Sequence, residues 1–223
     1  MRRRIRFTLI AGVLLVLLAA AIYAVYRASQ QVPEFYSAEL SIPAETQEKA
    51  SDLMLQQATT LHNDLHNNGR WSQVFKSQTI NGWLAVDLPK NHPTLLPAGM
   101  SAPRVRIGPE GITMACQVAR GGFHGVVSLQ VSAFVESPSV VGLRIHKARL
   151  GAIPWSLDHV LKNVSSAAQQ SNVLIRWRQA DGDPVALITL PPINADRKQM
   201  VHIDTIRLEE GALVVVGTTE IAK

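Results

Sequence analysis

The chain of 223 residues has little charge, few aromatic residues and a single cysteine. Charged residues make up 17% and aromatic residues 5%, against roughly 25% charged residues in an ordinary soluble domain. One cysteine cannot form an internal disulfide, which excludes a small disulfide-stapled scaffold. Hydrophobic residues account for 47%, so the chain is not disordered and is long enough to bury a sizeable core.

The formal net charge of +5 comes from one end of the chain. Four of the 22 basic residues are Arg2, Arg3, Arg4 and Arg6, and the remaining 18 nearly balance the 17 acidic residues. The excess of positive charge belongs to the N-terminus. The sequence therefore gives no indication of a nucleic-acid-binding face.

Sequence motifs for catalysis are missing as well. The chain has neither a G-x-S-x-G elbow nor a glycine-rich phosphate loop. His62 and His66 have the i, i+4 spacing of zinc ligands, but Asn63 takes the place of a zincin's catalytic glutamate and no third ligand is identifiable. Cys116 lies on the apolar side of a predicted strand and fits a buried small hydrophobe. The sequence predicts no catalytic residue, no metal and no cofactor.

One long apolar run is present, because residues 7–26 include no charge. Twenty helical residues span roughly 30 Å, the thickness of a bilayer's hydrocarbon core, so this run predicts a transmembrane helix. The basic tail 1–6 precedes it and only Arg27 follows closely. The positive-inside rule then leaves the N-terminus in the cytoplasm and places 27–223 outside the cell (cytoplasmic) membrane. A cleaved signal peptide is the alternative, which the small residues 19–21 also fit.

The rest of the chain predicts an α+β fold in the order ααββββαββββ. Residues 27–43 have no clear period and predict a short tether, and 44–223 predict one extracytoplasmic domain. Helices and strands come in runs, so we expect a mostly antiparallel sheet of about eight strands packed against about three helices. The predicted helices are 44–68, 79–88 and 156–170, and the predicted strands are 104–107, 112–119, 127–135, 141–145, 173–177, 185–190, 200–208 and 213–216.

The last predicted strand is apolar at every position from Ala212 to Val216, so both of its faces need cover from a helix or a cavity. Helix 156–170 carries one apolar stripe. We therefore expect an acyl chain or another apolar ligand to lie between the sheet and a helix, although each lining residue also fits plain core packing. The expected lining residues are Trp155, Leu157, Val160, Leu161 and Val164, with Trp83 and Leu84 behind them.

Arginine occurs at alternate positions in and next to two predicted strands, at Arg104 and Arg106 and at Arg176 and Arg178. A row of guanidinium groups on a sheet face can hold lipid phosphates or glycans. The solvated side of a half-buried strand has the same pattern and is the ordinary interpretation.

Two short segments carry a resemblance. Thr79-Ile80-Asn81-Gly82-Trp83-Leu84 opens the second predicted helix, and Leu150-Gly151-Ala152-Ile153-Pro154 leads into the third. With the N-terminal anchor and the meander, they resemble the YpmS-like family of small membrane-anchored bacterial proteins over most of residues 77–170. That family has no known activity, so the resemblance implies architecture and location without any site residue. A long antiparallel sheet wrapped on helices is also similar to tubular lipid-binding domains, which is fold analogy alone.

The leading hypothesis is therefore a non-catalytic, single-pass, extracytoplasmic domain that binds a lipid or another apolar ligand. The alternative is a structural or assembly protein of the cell envelope, in which an exposed patch or sheet edge engages a protein partner. An enzyme is a third hypothesis, which a spatial cluster of His62, His66 and an acid would support.

Overall fold

The computed structural model describes the backbone of residues 2–170, 173–193 and 199–221. Side chains are described from Leu15 onward, except those at positions 120, 159, 160, 163, 167, 170 and 221. The fold is α+β, with a large antiparallel sheet and a few helices. The predicted class is confirmed.

Helices occupy the N-terminal third and one later segment. The described helices are α1 (Arg2–Ser29), α2 (Glu34–Leu40), α3 (Ala44–His66), α4 (Ser77–Ala85), α5 (Asp87–Asn91) and α6 (Leu157–Gln170). A 3-10 turn covers Pro93–Leu95. The predicted helices 44–68 and 156–170 correspond to α3 and α6, and the predicted helix 79–88 is divided into α4 and α5.

Strands fill most of the remainder. They are β1 (Gly69–Lys76), β2 (Met100–Gly108), β3 (Gly111–Arg120), β4 (Phe123–Ser137), β5 (Val140–Leu150), β6 (Ile153–Pro154), β7 (Ile175–Ala180), β8 (Asp183–Thr189), β9 (Gln199–Glu209) and β10 (Ala212–Ile221). All eight predicted strands are present. The strand β1 and the two-residue β6 were not predicted, because β1 has polar Gln73 between Trp71 and Phe75 and shows no clean alternation.

The strands form two sheets instead of the single sheet that the sequence predicts. The large sheet has the order β2-β3-β4-β5-β8-β7, with β6 paired to β5, and the small sheet has the order β1-β10-β9. Every pair is antiparallel. Alternation of apolar residues predicts where strands lie but not which strands pair, and β1, missing from the prediction, is the partner of β10.

The small sheet packs one face into a core around Trp71. The indole Nε1 of Trp71 donates a hydrogen bond to Thr219 Oγ1 at 3.2 Å in a buried position. Apolar side chains from α3, β4, β5, β9, β10 and the segment that follows β8 surround it: Leu61, Leu65, Val135, Val141, Leu190, Ile193, Val201, Ile203, Ile206 and Val215. This packing gives the apolar residues of β9 and β10 cover from other parts of the chain. No residue of β9 or β10 lines the principal depressions among the described residues.

Helix α2 lies inside the segment 27–43 that was predicted to be a tether. Its Tyr36 is completely buried and packs against Ala115 and Val126. We call the face of the large sheet that carries these two residues the outer face. The Tyr36 hydroxyl donates a hydrogen bond to the Ala102 carbonyl oxygen at 2.8 Å. A helix of seven residues is too short to show a hydrophobic period, so the sequence did not reveal that this segment joins the folded domain.

Helix α1 runs through the predicted transmembrane segment 7–26. Its large apolar side chains from Leu15 to Tyr26 are between 58% and 69% exposed, so the domain does not cover them. Over the residues with described side chains, no single helix is long and apolar enough to cross a membrane. The part of α1 from Leu15 and helix α2 meet that criterion only as a pair, with a bend of 50° between them.

Candidate functional site

The C-terminal end of α1 is fastened to one end of the large sheet. The backbone amide of Ala152 donates to the Ala28 carbonyl oxygen at 2.9 Å, and the Gln30 side-chain amide donates to the His124 carbonyl oxygen at 2.8 Å. Gly151 adopts φ +59°, and a Cβ there would clash with the Ala28 oxygen. Only glycine fits this positive φ and close approach, which explains the turn that ends β5.

A cavity of about 480 Å³ opens beside this junction, between the start of α2 and the outer face of the large sheet. Three of its lining residues are cationic, Arg106, Lys147 and Arg149, and we call it the cationic cavity. The other lining residues are Gln31, Val32, Pro33, Glu34, Phe35, Thr113, Ser128, Gln130, Gly151 and Ala152.

The floor of the cationic cavity follows from strand register. Arg106 of β2 lies opposite Thr113 of β3, which lies opposite Gln130 of β4, which lies opposite Lys147 of β5. Directly paired residues in an antiparallel sheet share a face, so these four side chains form one row across four strands. The row has a cation at each end and neutral hydrogen-bonding groups between them.

The cations of this cavity have no carboxylate partner among the described residues. None of the ion pairs in that part of the chain involves Arg106, Lys147 or Arg149. The guanidinium of Arg106 lies 5.3 Å from the centroid of the Phe35 ring, a cation–π contact that orients the group without neutralising it. The cationic cavity therefore keeps unneutralised positive charge.

An apolar depression of about 310 Å³ adjoins the cationic cavity, and we call it the apolar cleft. It lies along β5 between Arg144, where the pairing with β8 ends, and Arg149, where the pairing with β6 begins. The backbone amide of Trp155 donates to the Ala148 carbonyl oxygen at 2.8 Å across this gap. The lining residues are His146, Lys147, Ala148, Arg149, Pro154, Trp155 and Leu157.

Lys147 and Arg149 line both depressions. The ammonium and guanidinium groups at this shared rim separate a polar space from an apolar one. Each space lies within or near the roughly 300–1,000 Å³ of small-molecule sites. The arrangement matches a ligand that is anionic at one end and apolar at the other.

Five of the seven expected lining residues lie on or next to α6. Trp155 and Leu157 line the apolar cleft, and Leu161 and Val164 are half-buried on α6. The side chain of Val160 lies outside the described residues. Helix α6 is held to β7 by a hydrogen bond of 2.9 Å from Trp177 Nε1 to Ser165 Oγ.

The structure does not place the other two expected residues with this group. Trp83 stacks against His92 with ring centroids 5.8 Å apart, and Leu84 lines a different, proline-rich depression of about 490 Å³. Their helix α4 packs on α3, where Gly82 approaches Ala50. The expectation that Trp83 and Leu84 lie behind α6 is therefore wrong. Sequence order does not show how far apart the second and third predicted helices lie in the fold.

Sequence reasoning missed Lys147 and Arg149. Both alternate with apolar residues, Ala148 and Leu150, so the period-2 signal of β5 extends past the predicted end at residue 145. That signal marks a strand with a cationic outer face. The convergence of these cations with Arg106, 40 residues away or more, depends on the register of four strands and is not visible in the sequence.

A second polar arrangement lies farther along the same face. His146 joins Ser132 and Asp183, with 2.9 Å between Nε2 and Ser132 Oγ and 3.1 Å between Nδ1 and Asp183 Oδ2. Arg144 Nε donates to the same Asp183 oxygen at 2.9 Å, and Nη1 donates to Asp181 at 3.1 Å. The hydrogen bond from Arg144 is the main reason why the pKa of Asp183 is lowered.

This connectivity is that of a Ser-His-Asp relay, but its setting is not. Ser132 lies in the interior of β4, paired with Arg144 of β5, instead of on a strained turn with converging N–H donors. Arg144 also neutralises the carboxylate that would stabilise an imidazolium. We interpret the group as a network that fastens β4, β5 and β8 together.

The two histidines of α3 contact each other, and the His66 carbonyl oxygen also accepts a hydrogen bond of 3.0 Å from Gln199 Nε2. The rings of His62 and His66 are 4.3 Å apart, and His66 Nδ1 lies 2.7 Å from the His62 carbonyl oxygen. Among the side chains that the structure describes, no group of three or more His, Cys, Asp or Glu residues is arranged to hold a metal ion.

Comparisons with known proteins found no matching family model, no matching curated protein and no matching solved structure.

Proposed function

We propose that the protein is a non-catalytic, membrane-anchored domain, located outside the cytoplasmic membrane, that binds a lipid. One observation carries the proposal: Lys147 and Arg149 line both the cationic cavity and the apolar cleft. A lipid combines a polar, often anionic, head with an apolar chain, and adjoining polar and apolar spaces suit such a molecule. The ligand site differs from the expected groove beneath the last strands but retains Trp155 and Leu157 from the expected set.

Helix α1 supports the membrane anchor. Its sequence has an uncharged run over residues 7–26, preceded by four arginines. Exposure of the apolar side chains from Leu15 to Tyr26 to water costs free energy, and this cost is absent when the helix lies in hydrocarbon. The excess of arginine at the start favours an N-terminus inside the cytoplasm, with the domain on the other side.

The junction between α1 and the domain supports a lipid source for the ligand. The hydrogen bonds of Ala152 and Gln30 hold the end of α1 against the sheet, and Gly151 and Ala152 also line the cationic cavity. An anchored α1 therefore keeps the cavity beside the bilayer surface without a long linker. Helix α2, which packs through Tyr36, makes the connection short and fixed.

Co-purified lipid tests this proposal. The full chain is extracted from membranes in detergent, washed in fresh detergent, and analysed by native mass spectrometry and lipid extraction. We expect about one retained lipid per chain. The double substitution Trp155→Ala with Leu157→Ala should reduce it severalfold, because the apolar cleft loses its largest side chains.

The matched control is Leu95→Ala with Leu174→Ala, since these leucines are 56% and 73% exposed and lie outside both depressions. The control should retain lipid at the level of the unmodified chain. Retention no higher than that of an unrelated single-pass protein treated in the same way would overturn the proposal, as would equal losses in both variants.

A second candidate function is an assembly role in the cell envelope. Strand β7 forms one edge of the large sheet, and the residues just before it, Val173 and Leu174, are 38% and 73% exposed. An exposed edge with apolar residues is a surface for strand addition by another protein. Cross-linking that captures one stoichiometric envelope partner, and that Leu174→Lys abolishes, would favour this function over lipid binding.

A further inference from the structure

The outer face of the large sheet has two kinds of cation. Arg144 pairs with Asp181 and Asp183, and Arg178 pairs with Glu136 through two hydrogen bonds of 2.6 and 3.1 Å. These arginines lie on β5 and β7, away from α1. The cations near the end of α1 have no such partners among the described residues, although they share the same sheet.

This difference is informative because the chain places acids beside cations elsewhere on the face. Glu34 is the one carboxylate among the residues lining the cationic cavity, and it makes no ion pair within 4.0 Å with any described cation. Three like charges around one concave space repel each other, so their proximity costs free energy unless an anion joins them. An external anion is the partner that this cavity lacks.

The neutral lining groups narrow the chemistry of that anion. Thr113, Ser128 and Gln130 lie on the sheet between the cations and offer hydroxyl and amide donors. A phosphate group has several acceptor oxygens and binds to both guanidinium and ammonium groups. The stacking of Arg106 on Phe35 holds its planar fork in place for a bidentate contact.

We propose that the cationic cavity binds a phosphate group through Arg106, Lys147 and Arg149. Two sources share this chemistry, the headgroup of an anionic phospholipid and a soluble phosphomonoester. The lipid source rests on the proposed function, because it requires the acyl part to lie in the adjoining apolar cleft. The phosphate site itself rests only on the cations, the neutral donors and the shape of the cavity.

Calorimetric titration of the full chain in a non-ionic detergent tests the site with four probes. Dihexanoyl phosphatidylglycerol carries a net negative phosphate and short chains, and dihexanoyl phosphatidylcholine carries the same chains with no net charge. Glycerol 3-phosphate and inorganic phosphate carry the anion without chains. Each probe is measured at two salt concentrations, because contacts with exposed cations weaken as salt rises.

The test variant combines Arg106→Gln, Lys147→Gln and Arg149→Gln. The matched control combines Arg70→Gln, Arg176→Gln and Arg207→Gln, which removes the same charge from exposed positions outside the cavity. We expect the test variant to bind phosphatidylglycerol at least about tenfold more weakly, since each contact of this kind is charge-assisted. The control should stay within about twofold. If the triple variant does not fold, Lys147→Gln alone, at an exposed position, should weaken binding about threefold or more.

The outcomes separate this inference from the proposed function. Equal losses in test and control variants, or no loss in either, would overturn the phosphate site even if both lipids bind. Binding of glycerol 3-phosphate as tight as that of phosphatidylglycerol, and lost in the test variant, would support the site with a soluble source and contradict the lipid source. Failure of the unmodified chain to bind any of the four probes would overturn both proposals.

Discussion

The backbone amide of Ala152 donates a hydrogen bond to the carbonyl oxygen of Ala28 at 2.9 Å, which joins the turn after β5 to the last turn of α1. The last carbonyl groups of a helix have no partner within the helix, so this bond satisfies one of them. It also sets where the apolar helix leaves the domain. The position of the cationic cavity relative to α1 depends on this contact.

Replacing Gly151 by alanine should undock α1. Alanine at φ +59° is strained by about 1 kcal/mol, and the new Cβ would also clash with the Ala28 oxygen. Gly121 is a matched control, because it has φ +58° and a Cβ added there would meet no atom within 4 Å. We expect Gly151→Ala to lose at least about 2 kcal/mol more stability than Gly121→Ala. Trypsin cleavage after exposed Arg27 should accelerate in Gly151→Ala alone, and equal cleavage rates would contradict the docking.

Replacing Gly82 by alanine should destabilise the protein, although alanine favours helices. A Cβ at Gly82 would lie 2.5 Å from Ala50 Cβ and 2.6 Å from the Ser51 amide nitrogen, which is too close without separation of α4 from α3. Helix propensity alone favours alanine by about 1 kcal/mol, and overpacking typically costs about 1–3 kcal/mol. Because the clash involves backbone atoms of α3 as well as a side chain, urea unfolding should show a net loss of up to about 2 kcal/mol. A gain in stability would show that the two helices separate easily.

Glu39 should make the folded state less stable as pH rises from acidic to neutral. Burial is the main reason why its pKa is raised, although Asn81 and Arg104 act in the opposite direction, and Glu39 Oε2 is buried without a hydrogen-bond partner. The folded state then holds a proton that the unfolded chain has released, so stability falls as pH rises above the ordinary glutamate value. Glu39→Gln should remove this loss and raise the urea midpoint at pH 7.

The control for that measurement is Glu45→Gln, because Glu45 forms an exposed pair with Lys49 at 2.6 Å that contributes little. Its urea midpoint should follow that of the unmodified chain at every pH. A Glu39→Gln midpoint equal to or below that of the unmodified chain at pH 7 would mean that the attraction between Glu39 and Arg104 outweighs burial.

Ser132 should not react with a fluorophosphonate probe, because we interpret the Ser132–His146–Asp183 group as a structural network. Stoichiometric labelling of Ser132, lost in His146→Ala, would show a hydrolase and contradict the non-catalytic proposal.

Asp183→Asn should lower the stability of the protein at neutral pH. The lowered pKa of Asp183 means that its ionised form stabilises the fold above the ordinary aspartate value, and this contribution disappears as pH falls through the folded pKa. The unmodified chain and Asp183→Asn should therefore have similar stability at acidic pH.

The sequence determined the local elements of this protein. The repeat of apolar residues every three or four positions defined α3 and α6, and alternation between Pro103 and Ile145 defined the meander that becomes β2 to β5. Turns at Gly111, Asp181-Gly182 and Gly211 separated the strands, because positive φ favours glycine. These signals are local, so they can be interpreted without knowing which segments each element contacts in the fold.

Tertiary structure decided which segments meet. Trp71 and Thr219 are 148 positions apart and form a buried hydrogen bond, so β10 belongs to a second sheet that no local pattern indicates. Tyr36 acquires its role from Ala115 and Val126, and Lys147 acquires its role from a register that extends to Arg106. Such contacts depend on long-range pairing and on the fit of complete surfaces, whereas periodicity reports only on which side of its own element a residue lies.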